Sequence, residues 1–372
     1  MIPPSQSLAL GVFLLQAATA IGGEPHLPSA DLNGDLSGAS KVPIAAPSAP
    51  SRFRLGVGFA PLLNVDVGFS GLGGYSNPLV PQPLGGGQDY LYDDGSVSVD
   101  ASGNAGGLTS FWAYQNNSQY DPSGTGALNF GISSSRGDGT VSNTENYSPG
   151  FEVMGDFLIG EVPGIEFAGR KPTWGLRGNL NYTRITTGNS DRTLSDVQVL
   201  TDTFTLNGVI PPLAPYAGSF TGPGPLIGDS PSRGQTVLSN AATITGSREL
   251  DLDLLGIGLG VFVEQEVSNR FSIGAEIGAN LAYANGEYRN RSTTSIPGLG
   301  SQGQLASGRD SDWLLGCHAG LLGSLDFSEQ WALQGSARYQ FYQDLEITAG
   351  SSRAELSFDG AFVLSLGVLY NY

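Results

Sequence analysis

The sequence is poor in the residues that much soluble chemistry relies on. Cys317 is its one cysteine, so an intramolecular disulfide and a thiolate metal cluster are both excluded. Histidine occurs only at His26 and His318, and lysine only at Lys41 and Lys171. Charged residues make up 14% of the chain, and the net charge is −17. A chain so short of cations cannot displace counterions from phosphate backbones, which argues against a nucleic-acid partner. No uncharged apolar run reaches the roughly 18 residues that a membrane-crossing helix needs. Glycine is abundant, with 55 residues, but it follows no Gly-X-Y period, so a collagen-like chain is excluded.

The N-terminus looks exported. Leu8 to Leu15 form an apolar run too short to span a bilayer as a helix, and Ala18-Thr19-Ala20 is a small-x-small cleavage pattern. These predict a signal peptide over residues 1–20, although no Lys or Arg precedes the run. Residues 21–52 are rich in Ala, Pro, Ser and Gly without periodicity and read as a flexible lead-in. Asp31, Asn33 and Asp35 are spaced like the start of a calcium loop. Leu36 occupies the glycine position and Val42 the glutamate position, so no metal site is expected.

From residue 53 the pattern alternates with period 2, the signature of a strand with two different faces. Segments at 53–69, 151–159, 174–182, 250–267, 271–283, 313–327, 331–347 and 355–372 all place apolar side chains on one face and polar ones on the other. In 250–267 the phase breaks. Leu250, Leu252 and Leu254 have one parity, while Leu255, Ile257, Leu259, Val261 and Val263 have the other. A β-bulge near Leu254 is expected to restore the facing. Connections alternate in length. Short ones at 163–173, 268–269 and 327–330 lie at one end. Long ones at 70–148, 188–249 and 284–312, with a short one at 348–354, lie at the other.

Aromatic residues gather at the segment ends on the apolar face. Phe53, Trp174, Phe271, Phe327, Trp331, Tyr370 and Tyr372 fall at one end; Phe69, Phe151, Tyr182, Tyr283 and Trp313 fall towards the other. Two such belts match the aromatic girdles of a membrane interface, and closure into a barrel is what lets a sheet sit in lipid. The expected fold is all-β, an antiparallel up-and-down transmembrane β-barrel of eight strands over residues 53–372. Ten or twelve strands is the alternative, if residues 107–135, or 194–206 with 235–246, add hairpins. Strand extensions or a cap above the membrane are favoured for those runs.

The chain resembles bacterial outer-membrane β-barrel proteins, nearest in plan to the small OmpA/OmpX/OmpW-like barrels, over residues 53–69 and 150–372. Tyr372, with Tyr370, Val368, Leu366 and Leu364 on the same face, resembles the C-terminal assembly signal of those proteins, many of which end in Phe. The resemblance implies a location in the outer membrane of a Gram-negative envelope, among its lipid and lipopolysaccharide. It also implies the barrel-assembly machinery as a partner during biogenesis.

The inward face is expected to carry a charge network of Arg54, Glu152, Asp156, Arg177, Glu264, Glu276, His318, Arg338, Asp344 and Asp359. In a small barrel such groups fill the lumen as ion pairs. A charged, solute-selecting constriction is the alternative and needs an open lumen. His318 lies about mid-strand without a serine or aspartate partner, and His26 is in the lead-in, so neither an enzyme nor a cofactor is expected. Arg136-Gly137-Asp138 reads as a polar turn before it reads as an adhesive tripeptide. Pro211, Pro212, Pro215, Pro223 and Pro225 bar central strand pairing in the second long connection. The function expected is a structural or surface-exposed barrel with a filled lumen. A porin-like channel is the alternative, and a lipid-modifying enzyme a third reading.

Overall fold

The computed structural model describes residues 52–84, 89–99, 106–167, 169–218 and 225–372. The expected signal peptide, all but the last residue of the lead-in, His26 and Pro223 lie outside them.

Alternating side chains give a strand two faces but leave its backbone N–H and C=O groups pointing sideways, where each needs a neighbour. Eight strands meet that need in a ring. They are β1 (Phe53–Phe59), β2 (Gly150–Glu161), β3 (Thr173–Asn189), β4 (Ser232–Glu266), β5 (Phe271–Ile296), β6 (Gly300–Asp326), β7 (Trp331–Tyr342) and β8 (Phe362–Asn371). Each pairs antiparallel with the next in chain order. β8 pairs back onto β1, Arg54 opposite Asn371, so the path of pairings returns to its start. Tight connections at 267–270 and 327–330 close one end, where the Tyr372 N–H donates to the Phe53 carbonyl.

At the other end the chain is far more ordered than the expected loops. Residues 284–312 are not a loop: β5 and β6 run on to Ile296 and from Gly300, joined by a turn with Gly298 at φ +82°. Three residues suffice because glycine tolerates the left-handed backbone that a turn this tight demands.

The segment expected as one strand over 53–69 is two. β1 ends at Phe59, Asn64 takes a positive φ of 61°, and Val65–Ser70 enters a different sheet. That sheet has the order Val141–Glu145, Val65–Ser70, Ser352–Ser357, Leu345–Ala349. Val65, Val67, Phe69, Leu345, Ile347, Leu356 and Phe358 were expected on the outward apolar face. They are instead buried against the inner sides of the extended β3 to β6, among Ile185, Leu250, Leu252, Leu254, Tyr288 and Leu314. Phe69 stacks on Tyr288 at 5.6 Å and belongs to no girdle.

The expected bulge near Leu254 does not form. β4 keeps an unbroken register there with both neighbours: Leu254 faces Thr183 and Ala284, and Leu255 faces Tyr182 and Tyr283. The phase break is a change of environment, because the apolar side of the strand switches from outside the ring to inside. Register shifts occur instead at Leu158/Gly160 and Ser195/Val197.

The first two long connections fold together. The far part of β4 pairs with Thr193–Thr205, which pairs with Ala127–Ser134 and, through it, Tyr120–Asp121. Facing this is a second sheet of Tyr90–Tyr92, Gly95–Val97, Trp112–Tyr114 and Tyr216–Ala217. Between them lies a separate core that includes Tyr92, Trp112, Leu128, Phe130 and Phe204. We call this unit the head.

Candidate functional site

The inner side of the ring changes character along its axis. Near the tight-turn end it is ionic. Arg54 on β1 lies 2.9 Å from Asp156 on β2 and 2.7 Å from Glu264 on β4. Arg177 on β3 holds Asp156 at 2.6 Å and Glu276 on β5 at 3.0 Å. Arg338 on β7 pairs with Glu152 on β2, and its Nε lies 3.7 Å from Glu276. The pairs β1–β4, β3–β5, β7–β2 and β7–β5 are not hydrogen-bonded neighbours, so these side chains reach across the bore. Phe262 sits between two guanidiniums, 5.5 Å from that of Arg54 and 5.2 Å from that of Arg177. An isolated charge would be expensive to bury here, and the arginine fork gives each carboxylate directed donors.

His318 is buried on the same inner side, with Nδ1 2.8 Å from the Asn280 Oδ1. It thus joins the ring's interior through an amide, not through a serine or carboxylate. Asp344 and Asp359 do not belong to the network. Both are exposed, in the stretch between Tyr342 and Phe362 where the chain leaves the ring for the sheet that holds Val65–Ser70. The interior nearby is lined by the apolar cluster that includes Leu254, Leu314, Tyr342 and Phe358.

Above the ionic zone comes that apolar core, so the bore is filled twice, by different chemistry. Among the described residues no group of three or more His, Cys, Asp or Glu is arranged to hold a metal ion.

The outer side carries the aromatic residues. One row runs in continuous register: Phe59, Phe151, Tyr182, Leu255, Tyr283, Trp313. At the tight-turn end lie Phe53, Trp174, Phe271, Phe327, Trp331, Tyr370 and Tyr372, with Trp331 and Tyr370 edge to face at 4.9 Å and Tyr370 and Tyr372 also at 4.9 Å. All are exposed except Tyr370, which is half-buried by these neighbours. Between the belts the outward positions are uncharged, for example Leu176, Val261, Ile277 and Ala319 in one cross-strand row. Leu366 and Val368 of the expected assembly signal, with Leu364, lie on this exposed face of β8.

Two features of the head escape sequence reading because their partners are distant in the chain. Asp202 is fully buried, 2.7 Å from Arg233, and accepts a 2.8 Å hydrogen bond from the Tyr92 hydroxyl. Asp138 of the Arg136-Gly137-Asp138 tripeptide accepts a hydrogen bond from the Ser195 hydroxyl, which holds its carboxyl below the usual range. Gly137 packs on the Gly73 backbone, so the tripeptide is a docked turn.

No family model matches the chain, and no curated protein matches it. Solved structures do show likeness. The outer membrane protease OmpT from Escherichia coli is 10% identical, with a TM-score of 0.31 over 87% of this chain and 97% of that one. The outer membrane protein OprG from Pseudomonas aeruginosa is 12% identical, with a TM-score of 0.30 over 87% and 96%. Ail, the attachment invasion locus protein of Yersinia pestis, is 10% identical, with a TM-score of 0.26 over 87% and 100%. Likeness at this level transfers no residue's role to this chain.

Proposed function

We propose that the ring is an eight-stranded transmembrane barrel of a bacterial outer membrane, with a filled lumen and a folded head presented outside the cell. The observation that carries this reading is the inversion of the ring. Between the two belts its outer side is apolar, uncharged and exposed, while its inner side is ionised and buried. A water-soluble sheet does the reverse. Lipid is the medium that rewards such a face, with aromatic rings at both boundaries. No helix among the described residues is long and apolar enough to cross a membrane.

In this reading the tight-turn end faces the periplasm and the head faces outward. Export uses the N-terminal signal, the surroundings are outer-membrane lipid and lipopolysaccharide, and Tyr372 with its face of β8 is offered to the assembly machinery. The role is structural or surface display. A porin-like channel is disfavoured by ion pairs that cross the bore and by the apolar core above them. A lipid-modifying enzyme is disfavoured by the amide-bound, buried His318. Recording in planar bilayers tests the closed lumen: we expect no stable conductance steps, and large, stable steps would overturn it.

A further inference from the structure

The inward arginines near the tight-turn end all meet carboxylates. Arg177 grips Asp156 side-on, Nε at 2.6 Å and Nη2 at 2.7 Å. In the head Arg233 grips Asp202 through the same two nitrogens, both at 2.7 Å. Arg248 does not follow them. It is fully buried on the inner side of β4, where the strand has passed the apolar core towards the head. Its Nη1 donates to the Asp191 carbonyl at 2.9 Å, in the turn after β3. Its Nε and Nη2 are buried and meet no acceptor, so the edge that grips carboxylates in Arg177 and Arg233 is the unpartnered one here. Among the described residues no carboxylate lies within ion-pair distance of Arg248. Asp191 attracts it only at longer range, from an exposed carboxylate that accepts from the Asn189 Nδ2 at 2.9 Å. The inward neighbours are uncharged: Asn189 and Asn290 lie opposite Arg248, with Thr187, Leu250 and Tyr288 in the row below. The Asn290 Oδ1 and the Thr294 hydroxyl, on the same inner face of β5, are buried without partners too.

A guanidinium stays ionised in a protein, and a buried charge without a counter-charge is among the most costly groups a fold can hold. A shift towards the Asn290 Oδ1, or an ordered water, would satisfy an N–H but leave the charge uncancelled. We propose that Arg248 holds a small monovalent anion, the size of chloride, on its Nε–Nη2 edge beneath the turn at Asn189–Arg192. Charge selects the class: one guanidinium cancels one negative charge, and a dianion such as sulfate would leave the excess in the same buried place. Packing selects the size. Neither nitrogen has open space beside it, so only a compact ion enters, with a small displacement of the Asn290 and Tyr288 side chains. The Tyr288 hydroxyl, within electrostatic reach of Arg248, is the second donor on that side. The ion is a structural counter-charge at the place where the chain passes from the ring into the head. Arg248 then braces the Asp191 turn, through which β3 continues into Thr193–Thr205.

The test follows reversible urea unfolding of the full chain in lipid vesicles, with gluconate exchanged for chloride at constant ionic strength. Raising chloride from ~1 to ~100 mM should lower the unfolding constant about tenfold, as a site with a Kd of ~10 mM requires. Arg248→Met keeps the bulk and removes the charge, and should lose the dependence. Arg291→Gln, exposed on the opposite face of the neighbouring strand, should keep it. Sulfate should act equally on wild type and on Arg248→Met, because its general effect on burial does not need the site. If Arg248→Met does not fold, wild-type crystals grown in bromide decide, with anomalous signal expected against the Arg248 Nε–Nη2 edge. An equal chloride response in wild type and Arg248→Met overturns the proposal. So does a sulfate response confined to wild type, or bromide found only at the surface.

Discussion

Leu254 and Leu255 are consecutive in β4 and share one continuous register, yet Leu254 is 2% exposed and Leu255 40% exposed. Leu254 closes the apolar core inside the ring, and Leu255 begins the apolar surface outside it. A strand leaving lipid for water must exchange its faces in this way, without a bulge.

Opposite substitutions are therefore expected to hurt for different reasons. Leu252→Ala should cost about 2–5 kcal/mol, as a cavity in a packed core does. Leu259→Arg, at a position 65% exposed, should cost about 2–4 kcal/mol in a bilayer. Exposed positions in soluble proteins usually change by less than about 0.5 kcal/mol. Reversible denaturant unfolding from lipid vesicles measures both, and a neutral Leu259→Arg would contradict the lipid face.

Asp156 sits between Arg54 and Arg177 and is fully buried. Asp156→Ala leaves both guanidiniums short of a counter-charge. It should destabilise by about 3–5 kcal/mol. Replacing Arg177 by Met in the same chain should recover part of that loss. The double-mutant cycle reads the coupling, and strict additivity would show that the pair does not fill the bore as described.

In the head, burial and then the hydrogen bond to Asp202 hold the Tyr92 phenol well above its ordinary value. A group whose folded pKa is raised contributes stability that is complete below its unfolded pKa, about 10 for tyrosine. That contribution is lost as pH rises through the folded value. Phenolate absorbance of Tyr92, taken as the difference between wild type and Tyr92→Phe, should thus stay silent past pH ~10 until the head opens. Tyr92→Phe should cost about 1.5–3 kcal/mol, the worth of a hydrogen bond to a charged group. Titration together with the exposed tyrosines would contradict the buried pair.

His318→Ala should leave the lipid A of expressing cells unchanged by mass spectrometry. Its stability should fall by about 1–3 kcal/mol, because the Asn280 amide loses its partner in a buried place. Altered lipid A would instead point to catalysis.

Much of the ring is legible in the sequence because lipid and water sort side chains at every second position. The outward faces of β3, β5, β6 and β7 follow directly from alternation, as do the two tight turns. The sheet that holds Val65–Ser70 is illegible for the same reason: Val65, Val67, Leu345 and Ile347 alternate just as lipid-facing residues do. Only Asn64's left-handed backbone and the chain's departure after Tyr342 reveal that they turn inward. Arg54, Asp156, Arg177 and Glu276 could be placed on one face, but which arginine meets which carboxylate depends on a ring that alternation does not specify. Asp344 and Asp359 fail as lumen residues because parity was carried across breaks in the strands. The head is hidden because its strands are short and some pair across the two connections, as Trp112–Tyr114 does with Tyr216–Ala217.

The most direct test of the lipid-facing side uses spin labels on single cysteines along β4, at Leu252, Leu254, Ile257, Leu259 and Val261, with Cys317 replaced by Ser, in lipid vesicles. Accessibility to oxygen and to a water-soluble nickel complex is then read at each site. The account predicts high oxygen and low nickel accessibility at Ile257, Leu259 and Val261, and neither at Leu252 and Leu254. Free nickel access at Leu259, or protection from both reagents there, would contradict it.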